Sequence, residues 1–178
     1  MEIKTLGDKK IKIRKISKKD LKNVEKFQDY INSLVEEEAL IQANKKVSLK
    51  EEVAWVKEKL KQIKNKKIIL LVAEHKNKIV GIPQIALGWG RQIHVGNFGI
   101  SIRKGYRRIG LGTYLTKKIL KLAKKELKPK PKIIKLSAYA INEPAVAFYK
   151  KLGFKKVAKI PKQGKIKGKL VDEVIMLL

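Results

Sequence analysis

The sequence predicts an α/β fold in which a mixed sheet carries helices on its faces. Three observations predict it. Apolar, strand-like runs dominate the middle of the chain, two amphipathic helical patterns precede them, and a long and a short helical pattern separate the later strands. The elements follow the order β-α-α-β-β-β-α-β-α-β-β, which amounts to about seven strands packed against helices.

The first third of the chain predicts one strand and two helices. Residues 11–16 alternate apolar and basic side chains, as a half-buried strand does. Ser17, with Asp20 three residues later, is a partial capping box before the first helix, and Ser48 with Glu51 is a complete one before the second. Glu36, Glu37 and Glu38 fall in the predicted loop between them. The predicted inward faces are Leu21, Val24, Phe27, Ile31 and Leu34, then Leu49, Val53, Val56, Leu60 and Ile63.

Strands separated by glycine turns dominate the rest of the chain. A long helix over 111–127 ends before Pro129 and Pro131, which cannot continue it. Asn142 caps a short helix that runs to Leu152. The predicted strands are 68–73, 79–87, 95–102 and 133–140, followed by a closing hairpin of 157–160 and 170–178 around Gly164 and Gly168.

Composition limits the functions that the chain can have. Its 178 residues, 44% of them hydrophobic, fit one folded domain over 1–178. The chain has no cysteine and only two histidines, His75 and His94, so we expect no disulfide, no Cys nucleophile and no metal centre. It has no apolar run of about 20 residues and no leader-like start, so we expect a cytoplasmic protein without a membrane partner.

The net charge of +28 is unevenly distributed. Residues 104–169 contain 21 Lys and Arg residues but only two acidic ones, Glu126 and Glu143. Such a field attracts polyanions, and coenzyme A, RNA and an acidic protein surface all qualify. Enrichment in Lys, Glu and Ile is also typical of adaptation to high temperature, so a thermophile-like origin of the charge stays open beside RNA or ribosome proximity.

One segment predicts a phosphate-binding loop. A predicted strand ends at Ile102, and a glycine-rich turn leads into a long helix. Backbone N–H groups at a helix N-terminus lack internal partners and can hold a diphosphate, and glycine allows close approach. The patterns of P-loop and dinucleotide-binding proteins are absent. A plain tight turn is the structural alternative. The candidate residues are Arg107, Arg108, Ile109, Gly110, Leu111, Gly112 and Thr113.

Two segments together resemble the GCN5-related N-acetyltransferase (GNAT) superfamily. The loop matches its Arg/Gln-x-x-Gly-x-Gly/Ala signature as Arg107-x-x-Gly110-x-Gly112, and residues 142–154 match Asn-x-x-Ala-x-x-x-Tyr-x-x-x-Gly-Phe at every key position. The similarity covers roughly 95–154. More weakly, the ending 168–178 is similar to ribosomal-protein and amino-acid acetylating branches. Arg108 and Ile109 stand where many relatives carry Gly and Lys.

The resemblance implies a mostly antiparallel sheet and a slot for acetyl-CoA between the strands 95–102 and 133–140. The backbone of Ile100, Ser101 and Ile102 would pair with the pantetheine arm, which Asn142 would also reach. The N–H of Ile102 would stabilise the oxyanion. Tyr149 would bind the cofactor and act as general acid on the departing thiolate. A core tyrosine and a helix-capping asparagine are the structural alternatives.

The amine acceptor and its base are less defined by the sequence. Many relatives carry a carboxylate on the central strands, but 95–102 contains neither Asp nor Glu. This favours a water-linked base or an acceptor of low pKa. His94 is the candidate base, with a surface histidine as the alternative. Glu74 is a further candidate base, with a solvent-exposed role as the alternative. The 36–38 cluster could guide the amine, and a solvated charge run is the alternative. Trp89 could form a rim of the acceptor pocket or cap the core.

The sequence therefore predicts transfer of acetyl from acetyl-CoA to a primary amine in a ternary complex. A protein α-amine, a protein lysine, an amino acid and an amino sugar all stay open as acceptors, and monomer and dimer stay open as assemblies. The alternative function is a basic module of acetyltransferase shape that docks on RNA or the ribosome with little catalysis. RNA readers usually interleave aromatic and basic residues, and aromatic residues are only 6% of this chain.

Overall fold

The computed structural model describes residues 1–178 and contains one eight-stranded sheet with four α-helices. The α/β class and the mixed, mostly antiparallel sheet are confirmed. The strands are β1 (Glu2–Leu6), β2 (Lys9–Lys15), β3 (Ile68–His75), β4 (Lys78–Leu87), β5 (Val95–Ile102), β6 (Ile133–Tyr139), β7 (Lys155–Ile166) and β8 (Lys169–Leu177). The helices are α1 (Glu25–Glu36), α2 (Leu49–Lys64), α3 (Leu111–Glu126) and α4 (Glu143–Lys151).

The eighth strand, β1, is absent from the predicted order. It pairs antiparallel with β2 at the edge of the sheet, for example Ile3 with Lys12. Most of β1 is exposed, including Ile3. Hydrophobic periodicity arises because one face of a strand is buried. Since β1 buries very little of either face, its sequence has no apolar pattern that predicts a strand.

The sheet order is β1-β2-β3-β4-β5-β6-β8-β7, and only β5 and β6 are parallel neighbours. Hairpins connect β1 with β2, β3 with β4, and β7 with β8. The parallel pair requires a crossover, and α3 supplies it. The parallel pair lies in the interior of the sheet, and its two strands are connected by the helix that follows the predicted phosphate loop.

Two apolar clusters cover the two faces of the sheet. The cluster on the α3 and α4 face contains Leu111, Leu115, Ile119 and Tyr149. The cluster on the α1 and α2 face contains Phe27, Tyr30, Leu34 and Val56. The alternating side chains of the strands supply both clusters, so the sheet separates two layers of helices.

The first helix begins later than predicted. The capping box of Ser17 and Asp20 belongs to a short 3-10 segment, Lys18–Lys22, and α1 follows it. Arg14 holds the buried Asp20 carboxylate with two hydrogen bonds, of 2.9 and 2.7 Å, and also binds Glu74. Glu36 is consequently the last residue of α1 and not a loop residue. The capping box of α2 at Ser48 and Glu51 forms as predicted.

The C-terminal hairpin is longer than predicted. β7 covers 12 residues, of which only Gly164 is buried, so its sequence carries no strand-like apolar run. Gly164 lies inside β7, opposite Val171, and not in the turn. A Cβ atom at Gly164 would lie 2.4 Å from a ring carbon of Tyr139, which explains a glycine there. Gly168, with φ +80°, belongs to the turn as predicted.

Candidate active site

The sheet opens between β5 and β6. These parallel strands pair only at Val95 with Ile133, Gly96 with Ile134, and Asn97 with Lys135. Beyond Asn97 the strands separate, while β5 stays paired with β4 as far as Ile102 and β6 stays paired with β8 as far as Tyr139. The C-terminal half of β5 therefore has one edge without a strand partner. We call this gap the β5–β6 opening.

The peptide groups of Ile100 and Ile102 face the β5–β6 opening. The carbonyl of Val95 accepts from Gly88, and the N–H of Arg103 donates to Val80, so odd-numbered residues of β5 bond towards β4. The carbonyl of His94 accepts from Lys132 on the β6 side. Because the direction of the peptide N–H and C=O groups alternates along a strand, those of the even-numbered residues of β5 point into the opening.

Pro83 and Ser101 agree with this alternation. Pro83 lies opposite Ile100 and has no N–H to donate. A proline is tolerated there because the peptide group of Ile100 points away from β4, so this pair needs no hydrogen bond between the two strands. The peptide group of Ser101 faces β4, and its hydroxyl group contacts Tyr30. The structure thus brings Ile100 and Ile102 to the opening and turns Ser101 away from it.

The turn before α3 leaves helix N–H groups free. Gly105, Arg108 and Gly110 all have positive φ, at +83°, +62° and +84°. Gly110 is the N-cap residue and provides no side chain to bond the first turn of the helix. The N–H groups of Leu111, Gly112 and Thr113 have no acceptor in the chain. They form an uncapped helix N-terminus, where backbone dipoles favour an anion.

Arg107 folds back onto the protein. Its Nε donates to the carbonyl of Ile102 at 2.7 Å, and its guanidinium pairs with Glu37 at the end of α1. The same carboxylate accepts the backbone N–H of Lys104 at 3.1 Å. The loop is thereby tied both to the end of β5 and to α1, whereas Arg108 is exposed and has no ion-pair partner.

Gly112 lies against α4. A Cβ atom there would approach Phe148 Cζ to 3.2 Å and Ile102 Cδ1 to 3.3 Å. The missing side chain therefore lets the first turn of α3 approach α4 closely. Asn142 caps α4 by accepting the Ala145 N–H at 3.3 Å, which leaves its amide nitrogen without a partner in the chain.

Tyr149 lies on α4 within an aromatic cluster. Its ring packs edge-on against Phe98 and Phe154, and also contacts Phe148. Only 8% of the residue is exposed, and burial raises the pKa of Tyr149 to about 12. Its hydroxyl group has no hydrogen-bond partner in the chain and is not among the fully enclosed unpaired atoms. The phenol is therefore neutral and free to bond a ligand.

Tyr30 holds the end of β5 from the other face. Its buried hydroxyl group donates to the Ser101 carbonyl at 2.7 Å and lies 2.8 Å from the Ser101 hydroxyl group. Next to it, Arg103 bonds Asp29 on α1 at 2.8 Å. Sequence reasoning missed Tyr30. Its position on the inward face of α1, three residues after Phe27, was the available signal.

A shallow hollow lies over Gly99 on the α1 face of the sheet. Phe98 and Ile100 pack on the α3 face, so Gly99 between them faces α1. A Cβ atom at Gly99 would meet only Gln84, at 3.9 Å, so the space above it is open. The side-chain Oε1 of Gln84 is buried without a hydrogen-bond partner. Unpaired buried polar atoms are rare, which makes Gln84 a candidate ligand contact that the sequence did not reveal.

Other predicted candidates lie apart from the opening. His94 precedes β5, roughly 26 Å along the strand from Ile102 at about 3.3 Å per residue. Glu74 is buried against Arg14, and Trp89 is 88% exposed. In the 36–38 cluster every carboxylate is paired: Glu36 with Lys46, Glu37 with Arg107 and Glu38 with Lys167. No group of three or more His, Asp or Glu residues could hold a metal ion, and no helix has the length and apolarity to cross a membrane.

Comparison with known proteins identifies the family. Residues 34–154 match the model of the acetyltransferase (GNAT) family. The chain belongs to the GNAT family. A curated relative, the N-alpha-acetyltransferase of Sulfurisphaera tokodaii, is 29% identical over 109 residues, which are 55% of this chain and 63% of that protein. The chain thus spans less than two thirds of the length of this curated relative.

Solved GNAT-fold structures match almost the whole chain. The ribosomal-protein-alanine N-acetyltransferase of Brucella melitensis has a TM-score of 0.78 at 20% identity, over 94% of this chain and 98% of that one. The structure of yncA from Salmonella typhimurium, which includes its cofactor acetyl-CoA, has a TM-score of 0.77 at 18% identity, over 94% and 92%. These matches confirm the GNAT fold that the two sequence signatures predicted.

Proposed function

We propose that the protein transfers the acetyl group of acetyl-CoA to a primary amine. The observation that carries the proposal is the β5–β6 opening, where the peptide group of Ile100 and the N–H of Ile102 lack a strand partner and meet the uncapped N-terminus of α3. The N–H groups of Leu111, Gly112 and Thr113 bind the diphosphate of CoA, with Arg108 adding charge from the solvent side. The pantetheine amides pair with the peptide group of Ile100 as an added strand, and the N–H of Ile102 is left for the thioester carbonyl.

The chemical step is direct attack of the amine on the thioester carbonyl. The nitrogen lone pair forms the new C–N bond, and the N–H of Ile102 stabilises the negative charge on oxygen. Collapse of this intermediate breaks the C–S bond. The hydroxyl group of Tyr149 donates a hydrogen bond to the departing sulfur and transfers its proton to it. The extra proton on the product nitrogen is released to water. A phenol with a pKa of about 12 stays protonated at every physiological pH and is always ready to donate.

The acceptor is a protein or peptide α-amine. The carboxylates that contact the residues at the end of β5, Asp29 and Glu37, are held by Arg103 and Arg107, so neither is available as a base. An α-amine, with a pKa of about 7.7–8.0, is partly neutral at pH 7, whereas a lysine amine at about 10.4 is not. The named activity of the Sulfurisphaera relative supports the same acceptor class. Gln84 faces the hollow, and rotation of its amide presents Oε1 to the N–H groups of the incoming peptide.

The test is thioester consumption at pH 7 with three matched peptides: one with a free α-amine, one with a blocked α-amine and no lysine, and one with a blocked α-amine and an internal lysine. We expect turnover with the first peptide only. Tyr149→Phe should lower kcat by about 100-fold, the low end for general acid catalysis, with little change in the KM for acetyl-CoA. Gln84→Leu should raise the KM for the peptide alone.

Tyr114→Phe is the matched control, because the Tyr114 hydroxyl group bonds Glu2 on β1 and lies outside the opening. Full activity of the Tyr149→Phe enzyme would show that Tyr149 is not the general acid. Equal turnover of the lysine peptide would contradict the assignment of an α-amine as the acceptor. If acetyl-CoA is not consumed with any amine, the proposed function is wrong.

A further inference from the structure

A dense group of lysines lies at the end of the molecule opposite the β5–β6 opening. Here α2 and α3 end, and β3, β5 and β6 begin. The N–H of Lys128 donates to the carbonyl of Lys66, and Nζ of Lys67 donates to the carbonyl of Lys128, so two distant segments meet. We call this surface the basal end. Its nine lysines are Lys61, Lys64, Lys66, Lys67, Lys124, Lys125, Lys128, Lys130 and Lys132.

The basal end has almost no acidic residue to balance these charges. Lys64, Lys66, Lys125 and Lys128 line a cavity of about 360 Å³, and none of them forms an ion pair. The carboxylate in the cavity wall, Glu126, is already bound by Lys15 at 2.5 Å. The ammonium groups around the cavity therefore repel one another, and a multivalent anion would relieve that repulsion.

The exposed face of α3 extends this surface towards the middle of the molecule. Lys117, Lys121 and Lys124 are exposed and follow one helix face, with spacings of four and three residues. At about 1.5 Å per residue they cover about 10 Å along the helix before the cavity begins. A row of this length exceeds the reach of one small anion and fits a linear polyanion.

The composition of this surface distinguishes between polyanions. Two exposed large hydrophobic side chains lie at the basal end, Trp89 after β4 and Leu178 after β8, because the N–H of Gly88 bonds Val95 and the N–H of Leu178 bonds Ile134. None lies on α3. Protein interfaces are depleted in lysine and have a continuous apolar or aromatic core, whereas this surface has nine lysines and only these two large hydrophobic side chains. Membrane-surface binding through a helix uses an apolar face of that helix, and the apolar face of α3 is buried in the core. The ammonium groups of lysines suit phosphate contacts that do not depend on base sequence.

We propose that the basal end binds the phosphodiester backbone of a nucleic acid, independently of sequence. This inference does not rest on the proposed acetyl transfer. The 16-residue helix α3 separates the cavity from the β5–β6 opening by about 24 Å, so the two ligands occupy different sites. A bound nucleic acid would leave the opening accessible to acetyl-CoA and an acceptor.

The experiment measures the binding of labelled 20-base-pair RNA and DNA duplexes, each of scrambled sequence, from 50 to 300 mM NaCl. The test variant combines Lys64→Gln, Lys125→Gln and Lys128→Gln. The matched control combines Lys10→Gln, Lys12→Gln and Lys165→Gln, which remove the same charge from exposed sites elsewhere. The slope of log K against log salt is negative, and each lost phosphate contact reduces its magnitude by about one, so we expect the magnitude for the test variant to be smaller by about three.

The control variant should keep the slope of the wild type, and both variants should keep its circular dichroism and melting curve. Equal duplex affinities would identify the shared backbone as the ligand, and a preference would identify RNA or DNA as its source. Equal losses in both triple variants would overturn the proposal, because net charge alone would then explain binding. Absence of binding at 50 mM NaCl, or stronger binding to anionic lipid vesicles than to either duplex, would also overturn it.

Discussion

Gly110 and Gly112 are two residues apart in one signature, yet they meet different physical requirements. Gly110 has φ +84°, a conformation that costs an L-residue energy, while a Cβ atom would meet only Leu6 at 3.8 Å. Gly112 is the tighter of the two positions, because a Cβ atom would touch Phe148 and Ile102. The first glycine therefore allows the turn, and the second allows α3 and α4 to approach each other.

Gly112→Ala should weaken acetyl-CoA binding by displacing α4. Over-packing costs about 1–3 kcal/mol, so we expect the KM for acetyl-CoA to rise about tenfold. The double variant Gly112→Ala with Phe148→Leu removes the clashing ring carbon and should recover most of that loss. Steady-state kinetics of the four proteins of this cycle measures the coupling. An unchanged KM in Gly112→Ala would show that the contact has no effect on the opening.

The residue-scale predictions from sequence succeeded where contacts are local. The Asn142 cap and the glycine turn before α3 depend on residues a few positions apart, so their spacing is visible in the sequence. The pairs Glu37 with Arg107 and Tyr30 with Ser101 join residues about 70 positions apart. No local pattern encodes such pairs, and the predicted roles of Arg107 and the 36–38 cluster therefore omitted their contact with each other.

At the scale of elements, α2 carries a buried acid without an ion-pair partner. Glu52 is 7% exposed, and burial raises its pKa to about 7 from an ordinary 4.5. Between these two values the folded chain holds a proton at Glu52 that the unfolded chain releases. The free energy of unfolding therefore falls as the pH rises from about 4.5 to 7.

Glu52→Gln should remove this pH dependence. We expect the variant to gain stability relative to the wild type as the pH rises from 4.5 to 8, because Gln has no charge to desolvate. Urea unfolding at several pH values measures the difference. Glu58→Gln, on the exposed side of the same helix, is the control for losing one charge. A gain of the same size at pH 4.5 and pH 8 would contradict the prediction.

Elements were predicted well where apolar side chains are buried and poorly where the side chains are exposed. The fully buried run of β3 and the helix α3 were both found from apolar spacing. In contrast, β1 and most of β7 are exposed sheet edges whose lysines resemble a loop composition. Their strand conformation comes from pairing with β2 and β8, which is a property of the assembled sheet.

At the scale of the whole molecule, the net charge of +28 makes the positive charges repel one another. The chain has 44 Lys and Arg residues and only 16 Asp and Glu residues, so most cations have no acid to pair with. Like charges on one compact body destabilise it, and salt screens them over about 10 Å at 0.1 M. Ion pairs respond in the opposite direction, since salt weakens them.

The melting temperature should therefore rise between 20 and 300 mM NaCl, measured by calorimetry. Sodium acetate at the same ionic strength should give the same rise, because screening does not depend on the identity of the anion. A melting temperature that falls with salt would mean that the surface ion pairs outweigh the repulsion.

The three residue pairs that join β5 to β6 make the sheet two half-sheets with a seam between them. One half ends at the edge of β5, where no strand of the chain follows beyond Asn97, so a bound ligand could act as the missing strand partner. A ligand bound at the edge of β5 would make the sheet more rigid as well as fill the β5–β6 opening. Bound acetyl-CoA would then stabilise the contact between the two half-sheets. Release of CoA after each reaction would make this region of the sheet more flexible before the next acetyl-CoA binds.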